Sequence, residues 1–245
     1  MTRMTRRRAL VSAGTISAGA LLSACGADDS SAPQTAADVT TTQGTTATVQ
    51  PQTSTSGDLA ARFDEADACR QTAEQTEGPY YLDVDRVRSD IREDREGVEL
   101  RVAIRVRDAE ACEPIANAVV ELWHCDAVGD YSGVQGVSGT FLRGAQVTNA
   151  DGIAELTTIY PGWYVGRCPH IHAKVILDNE TALTTQLYFD EAVTDLVYTR
   201  EPYAQHTGDY TRNDADGIFA QELLLDLSED GDGYLGLKTF DVARA

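Results

Sequence analysis

Positive charge is scarce in this chain of 245 residues: 20 Lys and Arg stand against 39 Asp and Glu, a formal net charge of −19. Four of those cations, Arg3, Arg6, Arg7 and Arg8, lie in the first eight residues, where there is no acid, so the remainder carries 16 − 39 = −23. A body this acidic repels phosphate backbones, which removes nucleic acid from the expected partners. The amino-terminal apolar stretch, Ala9 to Ala24, falls short of the roughly 20 residues that span a bilayer. No internal repeat stands out, and Glu77 is a lone carboxylate that forms no acid–base pair. Hydrophobic residues still make up 42% of the chain, enough for a core, and the length suits one all-β domain.

The amino terminus reads as an address. A basic head, a short apolar stretch and small residues before Cys25 follow the pattern of an export signal. Thr5-Arg6-Arg7-Arg8-Ala9-Leu10 resembles a bacterial twin-arginine signal, and Leu22-Ser23-Ala24-Cys25 resembles a lipobox, in which Cys25 becomes the lipidated first residue. The expected divisions are a signal at 1–24, a lipidated Cys25 with a tether to residue 58, and a folded domain at 59–245. Residues 26–58 hold 13 Ser or Thr, four Gln, four Asp, no Lys or Arg and no aromatic residue. Such a segment buries too little surface to offset its ordering entropy, so a disordered tether is expected. The implied location is the outer face of a bacterial cytoplasmic membrane, with Cys25 as the only membrane contact.

From Leu59 onward the pattern is β. In Glu99 to Arg107, Leu100, Val102, Ile104 and Val106 alternate with Arg101, Arg105 and Arg107, the period of a half-buried strand. Further strands are expected at 117–124, 153–159, 172–177, 184–189, 219–227 and 234–240. Turn-forming residues separate several of them, notably Asn149-Ala150-Asp151-Gly152 and Ser228 through Gly233. Many short strands at this spacing predict a mainly β protein, a β-sandwich of mostly antiparallel strands, with short helices only at 59–68 and 190–196.

Several motifs do not carry chemistry. Asp226 to Asp232 looks like a calcium loop, but position twelve is Leu237 where a bidentate Glu belongs, and a hairpin turn accounts for it. His124 at a strand end and His206 in a loop read as structural or surface residues. The informative run is Tyr160 to Val175, YPGWYVGRCPHIHAKV. His170 and His172, two apart on a strand, project from one face and could share a metal. Tyr164 follows a Pro-Gly turn six residues before His170, and Tyr131 sits in a Gly-rich loop.

These residues resemble the intradiol ring-cleavage dioxygenases, non-haem ferric enzymes that include the catechol 1,2- and protocatechuate 3,4-dioxygenases. The resemblance rests on TEGPYYLD (76–83), VELWHCDAVGDYSGV (120–134), FLRGAQVTNADG (141–152), the PGWYVGRCPHIHAKV run and TTQLYFD (184–190), and is nearest to the secreted branch. It implies a β-sandwich and one ferric ion per chain, held by Tyr131, Tyr164, His170 and His172. Tyr164 and His172 would be axial, and Tyr131 and His170 equatorial. It assigns Arg167 to stabilising negative charge on the substrate ring, Gln186 to orienting beside it, and Gly78, Pro79 and Tyr80 to the substrate pocket. The implied substrates are a small aromatic diol and O2, and the implied product is of the cis,cis-muconate type. The stretch between Tyr164 and His170 is shorter than in the cytoplasmic members, and their helical dimer segment has no counterpart, so the oligomeric state stays open.

Phenolate and imidazole are hard-to-intermediate donors that suit ferric iron. A phenol with an ordinary pKa of about 10 ionises at neutral pH only beside a strong Lewis acid. With Cys25 set aside, Cys69, Cys112, Cys125 and Cys168 allow three pairings. A Cys112–Cys125 bridge is disfavoured because the strand between them would hold the pair roughly 23 Å apart. Cys168 is expected to be structural, since a thiolate would tend to reduce ferric iron. Two alternatives differ in class: an inactive surface sandwich that binds aromatic ligands, and a zinc hydrolase built on His170 and His172. The first leaves a complete set of six residues without a use, and the second lacks a carboxylate ligand.

Overall fold

The computed structural model describes residues 37–40, 46–49, 59–63, 69–82 and 86–244. The export signal, Cys25 and most of the tether lie outside the described residues. Within the tether, Ala37–Thr40 (β1) pairs antiparallel with Thr46–Val49 (β2). That departs from a segment expected to lack structure altogether, and an isolated two-stranded ladder is only marginally stable in water.

The body is built from Glu99–Asp108 (β3), Val119–Trp123 (β4), Arg143–Val147 (β5), Ile153–Ile159 (β6), His170–Leu177 (β7), Glu180–Tyr188 (β8), Asp226–Asp230 (β9) and Gly233–Val242 (β10). They form two four-stranded sheets, in the orders β6-β3-β10-β9 and β5-β4-β7-β8. β3 and β10 run parallel, and the other named pairings are antiparallel. The alternation in β3 does what its period requires. Leu100, Val102, Ile104 and Val106 enter a core shared with Leu156 and Phe240 of their own sheet and with Val120, Leu122, Ile171, Ala173 and Leu187 of the other. Its reverse face pairs Arg101 with Glu155 and Asp230, and Arg107 with Asp241. Ala103 there packs with Leu59, Phe63 and Leu235 in a smaller apolar cluster.

Three details differ from expectation. β5 was not anticipated, because Gly144 and its polar flanks hide the strand period. The apolar run at 219–227 is not one strand: Gln221–Leu223 makes a 3-10 turn and β9 starts at Asp226. Leu223 and Leu225 there fill buried sites rather than alternate. At 59–68 only the turn Ala60–Arg62 is described, while Glu191–Val197 (α1) forms behind an Asp190 side chain that accepts from Ala192 N at 2.7 Å. Further 3-10 turns occupy Tyr203–Gln205 and Asn213–Ala215. The expected turns do form. Asn149 Oδ1 accepts from Asp151 N and Ile153 N, and Gly152 has φ +73°. β9 and β10 make the expected hairpin through Ser228 to Gly233.

The core faces of the β5-β4-β7-β8 sheet leave its other face for the site. Both edges of that sheet are covered. Arg88 N donates to Ala145 O beside β5, and Gln75 N donates to Thr184 O beside β8. The segment 69–82 then crosses the outer face, with its beginning fixed by a Cys69–Cys112 disulfide whose Cα atoms are 5.6 Å apart. Cys125 and Cys168 are free and buried. The bridge closes a 43-residue separation, and its loss should destabilise the fold by about 4 kcal/mol. Cys112→Ser should therefore unfold at lower denaturant, and added reductant should bring the parent to the same midpoint.

Candidate metal centre

The site grows from the register of one sheet. Arg143 lies opposite Trp123, Trp123 opposite His172, and His172 opposite Gln186, so a row of side chains crosses four strands on the outer face. Two residues along, His170 lies opposite Tyr188. Since successive strand residues point to opposite faces, His170 and His172 both stand on this side while Ile171 enters the core.

Local bonds fix the ring orientations. His170 Nδ1 donates to the Cys168 carbonyl at 2.6 Å. A carbonyl only accepts, so Nδ1 carries the proton and Nε2 presents a lone pair. That Nε2 lies 3.2 Å from His172 Nε2 and 3.2 Å from the Tyr164 hydroxyl. The His172 ring stacks on Trp123 at 5.0 Å with planes 5° apart. Gly78, at φ +75°, passes close to the same ring, where a Cβ would come within 3.0 Å of His172 Cε1. The Tyr131 hydroxyl is buried and meets no hydrogen-bond partner, and its ring stands 5.8 Å from that of Tyr164. The tyrosine-bearing loops are held together by close backbone approach. At Gly162 a Cβ would fall 2.4 Å from Asp126 O and 2.6 Å from Ala127 O.

Burial makes all four donors neutral when no metal is bound. It raises Tyr131 well above the ordinary phenol range and pushes Tyr164 up to about 12, with the charge of Arg167 opposing the rise. It pushes His170 down to about 3, helped by Arg167, and His172 well below its ordinary value, helped by His170. Each neutral ring keeps one N–H. With His170 protonated at Nδ1, the Nε2–Nε2 contact is a hydrogen bond when His172 carries its proton on Nε2. Placing that proton on the unpartnered His172 Nδ1 instead opens both Nε2 lone pairs to one cation. Two such ligands about 2.1 Å from one ion, at right angles, stand about 3 Å apart. The buried, unpartnered Tyr131 oxygen and the donor chemistry fit a hard cation such as ferric iron. Among the described residues no group of three or more His, Cys, Asp or Glu could hold a metal. A zinc hydrolase would need such a group, and this cluster consists of two His and two Tyr.

Arg167 is brought alongside. Its Nη1 is 3.5 Å from His170 Nε2, its Nη2 donates to Gln186 Oε1, and its Nε donates to Asp216 Oδ2 at 2.8 Å. Gln186 is fixed from behind by donating to Thr76 O at 2.9 Å. Tyr80 packs on Tyr131 at 4.9 Å and on Tyr164 at 5.9 Å, and accepts a bond from Gln135. Pro79 is exposed at the rim. A cavity of about 50 Å³ opens before the two tyrosines, with Tyr80, Val134, Gln135 and Val137 among its walls. His124 is fully buried between Cys125 O and Thr158 Oγ1, and His206 stacks on Trp163, so neither joins the cluster. Glu77 pairs with Lys174 at 2.6 Å and straps the covering segment to the sheet.

Three contributors had no assigned role in the sequence reading. Trp123 backs His172. Arg143 is a buried cation 5.8 Å from the centre of the Tyr131 ring, held by Ser132. Asp216 holds Arg167. The first two follow from register once the strands are paired. Asp216, in the polar run Asn213 to Gly217, has no sequence signal that separates it from a solvent-facing turn.

A family profile described as Dioxygenase matches residues 76–231. The intradiol ring-cleavage dioxygenase of Tetranychus urticae is 31% identical, with a TM-score of 0.68 over 71% of this chain and 95% of that one. The dioxygenase domain of a carbohydrate-binding fusion from Streptomyces sp. SirexAA-E is 33% identical, with a TM-score of 0.58 over 72% of this chain and all of that one. A chlorocatechol 1,2-dioxygenase of Pseudomonas putida is 28% identical over 51% of this chain and 56% of its own length. The chain thus spans about half the length of the curated relatives it matches.

Gly162→Ala should press the two loops apart, lowering stability by about 1–3 kcal/mol. Because it also shifts Tyr164 relative to Tyr131, ferric loading followed by absorbance should weaken at least about tenfold. A variant that loads iron like the parent would show that this loop contact does not set the site.

Proposed function

This chain belongs to the intradiol ring-cleavage dioxygenase family, and from that premise we propose that it is an exported non-haem iron enzyme that opens catechol-type rings between the two hydroxylated carbons. Both atoms of O2 enter a cis,cis-muconate-type product. The observation that carries this reading is the convergence of Tyr131, Tyr164, His170 and His172 beside the Arg167 guanidinium.

Ferric iron, when bound, supplies a Lewis acid that keeps two phenols ionised and makes a catecholate ring reactive toward O2. The remaining work belongs to the chain. Tyr164, only partly buried and at the cavity, is placed to receive a substrate hydroxyl proton at its Oη. Arg167 brings fixed positive charge where negative charge develops on the ring, and Gln186 holds the guanidinium in plane. Tyr80, Val134 and Val137 pack around the ring and limit water. Gly78 gives His172 room, with Pro79 at the entrance.

The iron-loaded protein should be coloured by tyrosinate-to-ferric charge transfer. Arg167→Ala should keep the colour and the iron, since the arginine acts on the reacting substrate, while turnover of catechol falls about 10²–10³-fold. A folded preparation that is colourless with stoichiometric zinc, or a mutant at the parental rate, would overturn the reading.

The same proposal covers location. No helix among the described residues is long and apolar enough to cross a membrane, and the twin-arginine-like signal, the lipobox and the Ser/Thr-rich tether support a body lipid-anchored at Cys25. More than one lipid chain gives stable anchoring. Mild protease on intact cells should release an active, iron-containing fragment, and Cys25→Ala should appear in soluble fractions with unchanged activity. Activity accessible only after lysis would contradict this.

A further inference from the structure

Arg167 stands on the short loop between Tyr164 and His170, beside Val165, which is 90% exposed, and Gly166 at φ +90°. A long side chain on such a loop loses considerable freedom when it is held in one pose. It is nonetheless held, and the only opposite charge among its bonding partners is Asp216, 49 residues later. Asp216 is buried, and both of its oxygens accept hydrogen bonds. Oδ2 accepts from Arg167 Nε at 2.8 Å, Cys168 N at 3.0 Å and Cys168 Sγ at 3.2 Å, and Oδ1 accepts from Ile218 N at 3.1 Å. One carboxylate therefore grips both the guanidinium and the turn whose Cys168 carbonyl accepts the hydrogen bond from His170 Nδ1–H.

We infer that Asp216 is a positioning residue of the ring-cleaving reaction: it aims the Arg167 guanidinium at the His170 side of the site. The inference rests on the ring-cleaving reading. Asn is nearly isosteric but neutral, and presents one amide group that cannot accept. In Asp216→Asn either the Arg167 Nε or the Ile218 N–H loses its acceptor, and the guanidinium is no longer drawn by charge. A displacement of about 1 Å in a catalytic group can lower a rate about 10²-fold without changing substrate binding.

The test has two arms. In the metal-free protein, the Nε–H resonance of Arg167, identified by its loss in Arg167→Ala, should be protected from exchange in the parent, less protected in Asp216→Asn, whose one remaining acceptor is neutral, and unprotected in Asp216→Ala. In the iron-loaded protein, Asp216→Asn should keep stoichiometric iron and the visible band, lose about 10- to 100-fold in kcat for catechol, and change KM by less than about threefold. The double variant Arg167→Ala/Asp216→Asn should turn over at the Arg167→Ala rate, because a residue that acts through Arg167 has nothing left to position. An unchanged resonance, or losses that multiply in the double variant, would overturn the inference. If Asp216→Asn does not melt cooperatively, Asp216→Glu, which keeps the charge, takes its place and should retain more of both signals than Asp216→Ala. A parent that cleaves no catechol at all defeats the ring-cleaving reading instead, and the resonance then decides alone whether Asp216 holds Arg167.

Discussion

Two imidazole nitrogens, His170 Nε2 and His172 Nε2, face each other at 3.2 Å in surroundings that keep both rings neutral. Everything else about the site serves this close meeting. The register of β4, β7 and β8 decides that both rings point outward, and a one-residue slip would send both into the core and Ile171 into the site. The Cys168 carbonyl selects the tautomer of His170, and the Trp123 indole limits the tilt of His172. A preorganised gap of this kind lowers the reorganisation needed when a cation arrives.

The covering segment and the two tyrosine loops finish what the sheet starts. Thr76, Glu77, Gly78, Tyr80 and Tyr81 touch, in turn, Gln186, Lys174, His172, Tyr131 and Trp123. Lys174 lies 3.6 Å from the Tyr81 ring centre, so a buried cation is shared between a carboxylate and an aromatic face. These contacts come from one short stretch of chain and reach across three strands of the sheet. The stretch acts as a lid whose position depends on the sheet's side chains more than on its own backbone pairing.

What the sequence made legible follows the range of the forces involved. The strand period is local, so β3, β6 and the His170/His172 face could be read from spacing alone. Tyr131 and Tyr164 carry no periodic signal, and only resemblance singled them out. Strand β5 was hidden because Gly144 makes room for Ile91 and so breaks the apolar pattern at the point where packing is tightest. The Leu223–Leu225 run misled for the opposite reason. Its apolar side chains are drawn into the core, while Leu225 N donates to Tyr188 O across one isolated bridge rather than joining a ladder. Asp216 was illegible in principle, since its importance lies in a partner 49 residues away.

The parallel pairing of β3 with β10 has a consequence in time rather than in space. β10 is a central strand of its sheet, and Arg107 and Asp241, bonded across it, are 134 residues apart in the chain. A newly made chain therefore holds β3 with one edge unpaired until β10 has been synthesised and has returned through a long loop search. During that interval Val102, Ile104 and Val106 have no Phe240 or Val242 to pack against, and the open edge is a template for pairing with other chains. A late, long-range closing step is built into the order of the strands.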